Sequence, residues 1–187
     1  MSKIGILDIE TTGFLNQGGL IVEIGIVTLD LNSGEISPVF ESLVKEPGFG
    51  PSHKNAPLGW IFRNSDLDYN NVLKAPALYS LKNHLQEILD CFSTGITAYN
   101  NQFDFGFLRD RGFRLKSLPC PMKIATPVIN LPPAPGRFTP KWPSVQEAWN
   151  FLFGSTGYKE AHRALDDAIH EAQIVFELHR RGLFHCN

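Results

Sequence analysis

The chain has 187 residues, of which 43% are hydrophobic and 14 are phenylalanine. A chain of this length and apolar content can bury a core as one domain, residues 1–187, without disulfide bonds. Its three cysteines are scattered, and neither a Cys-x-x-Cys nor a His-Glu-x-x-His pattern occurs. We therefore expect a single cytoplasmic domain, and we exclude the disulfide-rich secreted class.

The formal net charge is −2, so the chain as a whole does not attract nucleic acid. Any polyanionic substrate would need a local site, helped by bound metal. Neither a signal-peptide pattern nor an apolar run of membrane-spanning length is present, which predicts no membrane partner. Five basic residues close in sequence fit either a phosphate-binding track or a solvated helix and loop: Arg109, Arg111, Arg114, Lys116 and Lys123.

The first predicted element is an apolar strand that stops at two carboxylates, Asp8 and Glu10, before a Thr-Thr-Gly turn. Side chains alternate along a strand, so both acids share one face. Carboxylates at the end of a buried strand need a cation or dense hydrogen bonding. A divalent metal with oxygen ligands would satisfy both acids. A strand that simply ends in solvated acids is the alternative at this point.

Two further strands complete a predicted meander. Residues 20–29 are rich in β-branched side chains, and residues 36–45 return after an Asn-Ser-Gly turn. Residues 46–75 are interrupted by proline and glycine, which predicts a loop or short helices, with Trp60, Ile61 and Phe62 packed inward.

The second half alternates between helices and short strands. Leucines at helical spacing predict a helix over residues 76–92, with Pro76 in its first turn. Residues 96–99 read as a strand that leads into a helix with Asp104 in its first turn. A further short strand is predicted over residues 122–126, and the six prolines of residues 127–143 predict a surface loop.

Two helices close the chain. Ser144 is a plausible N-cap for the first, and Gly182 follows the second, whose apolar stripe is the most regular in the sequence. His162 precedes the last helix, and Asp166 and Asp167 lie in its first turn. The order of elements predicts an α/β fold, a mixed sheet flanked by helices.

Polar sites in such sheets collect at strand ends and at the helix starts that follow them. The candidate residues at such positions are Asp8, Glu10, Asp104, His162 and Asp167. Four converging carboxylates would need cations. Two divalent ions about 3.5–4 Å apart would suit phosphodiester hydrolysis. An imidazole titrates near neutral pH, which suits His162 to accept a proton from water.

Three motifs carry a resemblance to a known family: Asp8-Ile9-Glu10-Thr11-Thr12-Gly13, Asn100-Asn101-Gln102-Phe103-Asp104 and His162-Arg163-Ala164-Leu165-Asp166-Asp167. In order and in structural context they resemble the three exonuclease motifs of the DnaQ-like (DEDDh) 3′–5′ exonucleases, from residue 4 to about residue 180. The resemblance implies a ribonuclease H-like fold, with a five-stranded mixed sheet and helices on both faces.

The resemblance also implies a division of roles. Asp8, Glu10, Asp104 and Asp167 would bind two Mg²⁺ or Mn²⁺ ions, and His162 would be the general base. The family spacing selects Asp167, five residues after His162, over Asp166. Attack of water on the terminal phosphodiester would release a nucleoside 5′-monophosphate.

Four residues match family positions that contact substrate. Thr11 and Thr12 match positions near the 3′ hydroxyl, Phe14 matches an apolar position against the terminal base, and Asn100 matches an asparagine before the second aspartate. Each has a structural alternative: turn-forming threonines, a core phenylalanine and a turn-capping asparagine. Phe103 is expected in the core.

Two alternative functions stay open. The Asp8-to-Thr12 stretch is close to the nucleophile motif of haloacid dehalogenase-like phosphatases, although position 10 is Glu and the late acids open a helix. A non-catalytic nucleic-acid-binding module on the same fold is the second alternative, although all five candidate catalytic residues are retained.

Two departures from the family pattern refine the expectation. The proline-rich 127–143 stretch looks longer than the usual connection and could shape the substrate cleft. Proofreading subunits carry a C-terminal extension for polymerase binding, whereas this chain ends soon after Gly182. We expect a self-standing enzyme that acts on nucleic acid 3′ ends, with DNA favoured over RNA, as a monomer or a homodimer.

Overall fold

A computed structural model of the protein describes residues 2–55 and 57–186. Three antiparallel strands come first, and helices then alternate with a short fourth strand. The strands are β1 (Lys3–Thr11), β2 (Ile21–Asp30), β3 (Ile36–Leu43) and β4 (Ile96–Thr97). The helices are α1 (Ile61–Asn64), α2 (Tyr69–Lys74), α3 (Leu78–Cys91), α4 (Asn101–Asp110), α5 (Pro121–Ile129), α6 (Val145–Phe153) and α7 (Ala164–Arg180).

The strands form one mixed sheet in the order β3-β2-β1-β4, with β1 antiparallel to β2 and parallel to β4. The α/β architecture is confirmed, but the described part of the chain has four strands, so the prediction of five is wrong. The segment after α4 pairs with β4 only through one bridge, from Ile96 to Ser117. Pro119 lies two residues after Ser117 and has no N–H to extend the pairing.

Helices cover both faces of the sheet. On one face, α5, α6 and α7 pack over the side chains of Ile4, Ile6 and Val27. On the other face, α3 and α4 pack over Leu7 and Ile9. Because β1 is buried on both sides, the acids near its end lie at the edge of the core rather than in open solvent.

Helix α7 packs unusually close to β2. Its inner face carries Ala164, Ala168 and Ala172, four residues apart and fully buried. Opposite them is Gly25, where an added Cβ would lie 2.3 Å from the carbonyl carbon of Ala164. The backbones of α7 and β2 are therefore in direct contact, which brings the first turn of α7 to the end of β1.

The strand predicted over residues 122–126 is helix α5, so that prediction is wrong. Pro121 occupies the first helical position, where its missing N–H has no partner to lose. Pro127 lies inside the helix and is exposed, so the carbonyl that it leaves unbonded can be hydrated. The helix ends at Asn130, whose φ of 49° is left-handed, and the proline-rich loop begins there rather than at residue 127.

The structure confirms two other predictions and contradicts two. Residues 46–75 do form short helices, and Ser144 caps α6 by accepting a hydrogen bond from the N–H of Glu147 at 3.2 Å. Pro76 lies outside α3, and its carbonyl accepts a hydrogen bond from Lys45 N. Trp60 does not pack inward: it is 48% exposed, because α1 is a single turn that directs Ile61 into the core instead.

No helix within the described ranges combines the length and apolarity needed to cross a membrane.

Candidate active site

Four acids meet at the end of β1. Asp8 and Glu10 are on β1 itself, whereas Asp104 and Asp167 lie in the first turns of α4 and α7. Asp104 reaches the strand between the first two acids, where its Oδ1 accepts a hydrogen bond from Ile9 N at 3.3 Å. The structure thus places the four acids in one cluster.

His162 joins the same cluster. Its ring nitrogen and the carboxylate oxygens of Glu10 and Asp167 lie within 4.8 Å of one another. Its backbone φ is 53°, a left-handed value that is uncommon for a residue other than glycine. Asp167 stabilises this conformation, because its two oxygens accept hydrogen bonds from Ala161 N at 3.3 Å and Arg163 N at 3.0 Å. The amides on both sides of His162 therefore bond to one carboxylate.

The acids raise one another's pKa. Burial raises the pKa of Asp8 well above its ordinary value, and the nearby charges of Glu171 and Glu10 add to the rise. Burial also raises the pKa of Asp104 to about 7, against the opposing effect of the backbone hydrogen bonds that it accepts. For Asp167, burial and the charge of Glu160 raise the pKa to about 6. Without cations, the cluster therefore binds protons near neutral pH.

Two acids in this cluster were missed in the sequence. Glu171 is buried four residues after Asp167 on the same face of α7, and its Oε2 accepts a hydrogen bond from Tyr99 N at 3.0 Å. Glu160 is two residues before His162, and burial raises its pKa while the charge of His162 opposes that rise. The four-residue spacing of Glu171 from Asp167 was a signal that could have revealed it.

A buried ion pair fixes the start of α7. Glu23, opposite Glu10 in the strand register, is fully buried. It accepts hydrogen bonds from Arg163 Nη2 at 2.8 Å and from Arg163 Nε at 3.1 Å. Glu23 also accepts a hydrogen bond from Ala164 N at 3.0 Å. The pair ties the residue that follows His162 to β2.

A cavity of about 520 Å³ adjoins the acids. Phe14 is 61% exposed at its mouth, and its ring meets the ring of Phe103 edge to face at 6.2 Å. Trp60 lines the cavity and places its ring 5.0 Å from that of His162. The lining residues include Glu10, Thr11, Thr12, Gly13, Phe14, Trp60, Ile61 and Phe103.

The predicted substrate-contacting residues divide into two groups. Thr11, Thr12 and Phe14 line the cavity, whereas Asn100 is exposed at the start of α4 and is not among the lining residues. The two threonines also form the turn, since Thr11 Oγ1 donates to Gly13 O and Thr12 Oγ1 accepts from Leu20 N, both at 2.9 Å. The side chain of Asn100 makes no capping hydrogen bond.

Phe103 is only half-buried, so it belongs to the cavity wall as well as to the core.

The basic cluster has mostly structural partners. Arg111 forms an ion pair with buried Glu46 at 3.0 Å, and Arg114 lies 3.7 Å from Asp90. Arg109 donates to the Ser117 hydroxyl. Lys116 donates to the Ser93 carbonyl oxygen, and Lys123 is exposed on α5. The structure therefore favours the structural reading of this cluster over a phosphate-binding track.

The sequence and the fold are similar to those of known nucleases. The family model RNase_T, described as Exonuclease, matches residues 6–175. Over 174 residues the chain is 28% identical to the "DNA polymerase III PolC-type" of Clostridium perfringens (strain 13 / Type A). That match covers 91% of this chain but only 11% of the polymerase.

Two solved structures share the fold. Cell-death related nuclease 4 (CRN-4) has a TM-score of 0.70 at 16% identity, over 97% of this chain and 65% of that one. The nuclease domain of 3'hExo, a DEDDh family member bound to rAMP, has a TM-score of 0.70 at 15% identity, over 97% of this chain and 94% of that one.

Proposed function

Because the chain belongs to the RNase_T exonuclease family, we propose that it is a metal-dependent 3′–5′ exonuclease. It removes nucleoside 5′-monophosphates from the 3′ end of a nucleic acid. The observation that carries the proposal is the meeting of Asp8, Glu10, Asp104 and Asp167 in one largely buried cluster. Within residues 2–55 and 57–186, none of these acids forms an ion pair with Lys or Arg.

The donor set of this cluster fits Mg²⁺ or Mn²⁺. Both ions prefer carboxylate oxygens, and burial raises the pKa of Asp8, Asp104 and Asp167, so bound cations would offset a charge that burial makes costly. We propose that Asp8, Glu10, Asp104 and Asp167 hold two such ions. When bound, the ions stabilise the charge that develops on the phosphodiester oxygens. The extra charge of Glu160 and Glu171 supports two ions rather than one.

His162 is the general base in this proposal. Its ring lies at the edge of the acid cluster and packs edge to face against the ring of Trp60 at 5.0 Å. The hydrogen bonds from Ala161 N and Arg163 N to Asp167 fix the backbone on either side of it. A backbone fixed in this way keeps the imidazole beside the acids, where it can take a proton from the attacking water.

The 3′-terminal nucleotide occupies the cavity beside the acids. Phe14, Phe103 and Trp60 offer ring faces and edges that suit stacking against any base. Thr12 Oγ1 accepts from Leu20 N and keeps its own hydrogen, and Thr11 Oγ1 keeps a lone pair after donating to Gly13 O. These two hydroxyls are the groups that we assign to the 3′ hydroxyl. Asn100, outside the cavity, is a weaker candidate.

The polymer that we propose is DNA. The support is the sequence relative, which is a DNA polymerase. The structural relative 3'hExo was solved with a ribonucleotide, so RNA is the competing substrate.

The test is product analysis on matched single-stranded DNA and RNA oligonucleotides in Mg²⁺ or Mn²⁺. We expect a ladder that shortens from the 3′ end, release of nucleoside 5′-monophosphates, complete loss of activity with a chelator, and a faster rate on DNA. Asp8→Ala and Asp167→Ala should each lower turnover by several orders of magnitude while the circular dichroism spectrum is retained. An Asp8→Ala variant as active as wild type would refute the mechanism.

The family and the structure argue against one alternative function, and the same assay tests the other. A dehalogenase-like phosphatase is incompatible with the family, and in the structure the late acids Asp166 and Asp167 open a helix. A non-catalytic module would bind the oligonucleotides without shortening them.

A further inference from the structure

An exposed aromatic and basic segment lies at the tip of the proline-rich loop. We call residues 137–142, Arg-Phe-Thr-Pro-Lys-Trp, the tip segment. Phe138 is 99% exposed and Trp142 is 55% exposed. No other large hydrophobic side chain in the described part of the chain is as exposed as Phe138. Two large rings left in water point to a partner that covers them.

The charges of the tip segment suit an anionic partner. The Arg137 guanidinium bonds to no other group in the described part of the chain, and only its backbone N–H donates, to Ala134 O. Lys141 Nζ lies 2.6 Å from Glu147 and is half-exposed. A shallow cavity of about 390 Å³ runs between these side chains and Trp142. Cations interleaved with aromatic rings are the features with which proteins hold single-stranded nucleic acid.

The tip segment is anchored beside the acid cluster. Tyr99 connects the two: its N–H donates to the carboxylate of Glu171 in the cluster, and its hydroxyl lies 3.2 Å from the carbonyl oxygens of both Pro143 and Ser144. These two residues follow the tip segment directly. The end of the tip segment, next to Pro143, is thus separated from the carboxylate of Glu171 by about one tyrosine side chain.

A second contact also places the tip segment on the side of the molecule that carries His162. Gln146, in the first turn of α6, donates through Nε2 to the carbonyl oxygen of Tyr158 at 2.8 Å. Tyr158 is four residues before His162 in the segment that returns to the site. The base of the loop is closed by a hydrogen bond from Lys141 N to Leu131 O at 3.3 Å, so the tip segment projects outward from this position.

We propose that the tip segment binds the single strand a few nucleotides upstream of the 3′ end, by stacking on Phe138 and Trp142 and by phosphate contact with Arg137. The proposal rests on the proposed function and adds to it a second binding site for the polymer. It also supplies the local site that a chain with a net charge of −2 requires. The basic cluster from Arg109 to Lys123 is a poorer candidate, because most of its members are engaged in structural bonds.

The first test measures binding without turnover. A 5′-fluorescent single strand of roughly 16 nucleotides, the upper end of single-strand site sizes, is titrated with protein in Ca²⁺ and followed by anisotropy. Phe138→Ala and Trp142→Ala should each raise the Kd by about 5- to 150-fold, the loss expected for one stacked base. Arg137→Ala should lower the slope of log K against log salt by about 0.7.

The matched control is Phe151→Ala. Phe151 is a 46% exposed phenylalanine on α6 outside the tip segment, so its variant should bind like wild type. Hydrolysis of a dinucleotide in Mg²⁺, a substrate too short to reach the tip segment, should proceed at the wild-type rate in all of the variants.

Equal Kd values for wild type and the tip variants would overturn the proposal, as would an absence of binding by wild type. If wild type hydrolyses no substrate but Phe138→Ala still weakens binding, the surface stands and the exonuclease assignment fails. If the oligonucleotide is shortened normally and the variants bind unchanged, the exonuclease stands and the surface fails.

Discussion

Replacing Asp104 with asparagine should stabilise the metal-free protein at alkaline pH. The Asp104 side chain is almost fully buried, and burial raises its pKa from 3.8 to about 7. Asparagine is nearly the same size and keeps the oxygen that accepts the 3.3 Å hydrogen bond from Ile9 N. The substitution therefore removes the buried charge while it keeps the packing and the main polar contact.

The expected gain follows from the pKa. A rise from 3.8 to about 7 corresponds to about 4 kcal/mol of unfolding free energy. Between these two pH values the folded state keeps a proton that the unfolded state has lost. The stabilisation from Asp104 is thus fully present below about pH 4 and is lost as the pH rises through about 7. Asp104→Asn cannot lose it, so its unfolding free energy at about pH 8 should exceed that of wild type by up to about 4 kcal/mol.

The measurement is urea unfolding in a chelator at about pH 4 and about pH 8, followed by circular dichroism. The two proteins should differ little at the lower pH and most at the higher one. Mg²⁺ should stabilise wild type and should stabilise the variant less. Asp90→Asn is the control, because Asp90 is an exposed carboxylate on α3. A variant no more stable than wild type at about pH 8 would refute the view that Asp104 is a buried charge without compensation.

Two further substitutions, with one matched control, test how α7 is held against the sheet, and a third tests the proposed general base. Glu23→Gln removes the charge that pairs with Arg163 and should lower the unfolding free energy in urea titration by about 1–3 kcal/mol, the loss expected for hydrogen bonds to a charged group. Unchanged stability would show that the pair contributes nothing. Gly25→Ala places a Cβ 2.3 Å from the backbone of α7 and should lower the unfolding free energy by about 1–3 kcal/mol. Gly50→Ala, with its nearest neighbour 3.9 Å away, should leave it unchanged. His162→Ala should lower turnover by about 100- to 10,000-fold. Its Mg²⁺ affinity, measured by calorimetry, should be retained. A large loss of Mg²⁺ affinity would make His162 a metal ligand instead of a general base.

The parts of the fold that depend on local periodicity could be predicted from the sequence. Alternation along β1 and the apolar stripe of α7 predicted both elements, and the side chain of Ser144 predicted the cap of α6. Local chemistry was also enough to place Asp104 in a first helical turn. Each of these features is decided by neighbours a few residues apart, which a single sequence displays.

The parts that depend on contacts distant in sequence could not be predicted in the same way. The apolar pattern of residues 122–126 is too short to distinguish a strand from a helix. In the structure, Pro121 occupies the first position of a helix that includes them. The pairing of Glu23 with Arg163 joins residues 140 positions apart. Arg163 lies in the third motif, but nothing in that motif identifies Glu23 as its partner. Trp60 resembles a core residue by composition, and its contact with the His162 ring joins residues too distant in sequence for local patterns to reveal it.

The two hydrogen bonds from the amides flanking His162 to Asp167 fix the number of residues between them. A helix turns by about 100° per residue, so adding or removing one position between 162 and 167 would swing the carboxylate away from both amides. The length of this interval is thus fixed, whereas a half-exposed side chain within it, such as that of Asp166, can change. A library of variants with insertions and deletions should therefore tolerate length changes in the loop after Gly154 and reject all of them in this interval.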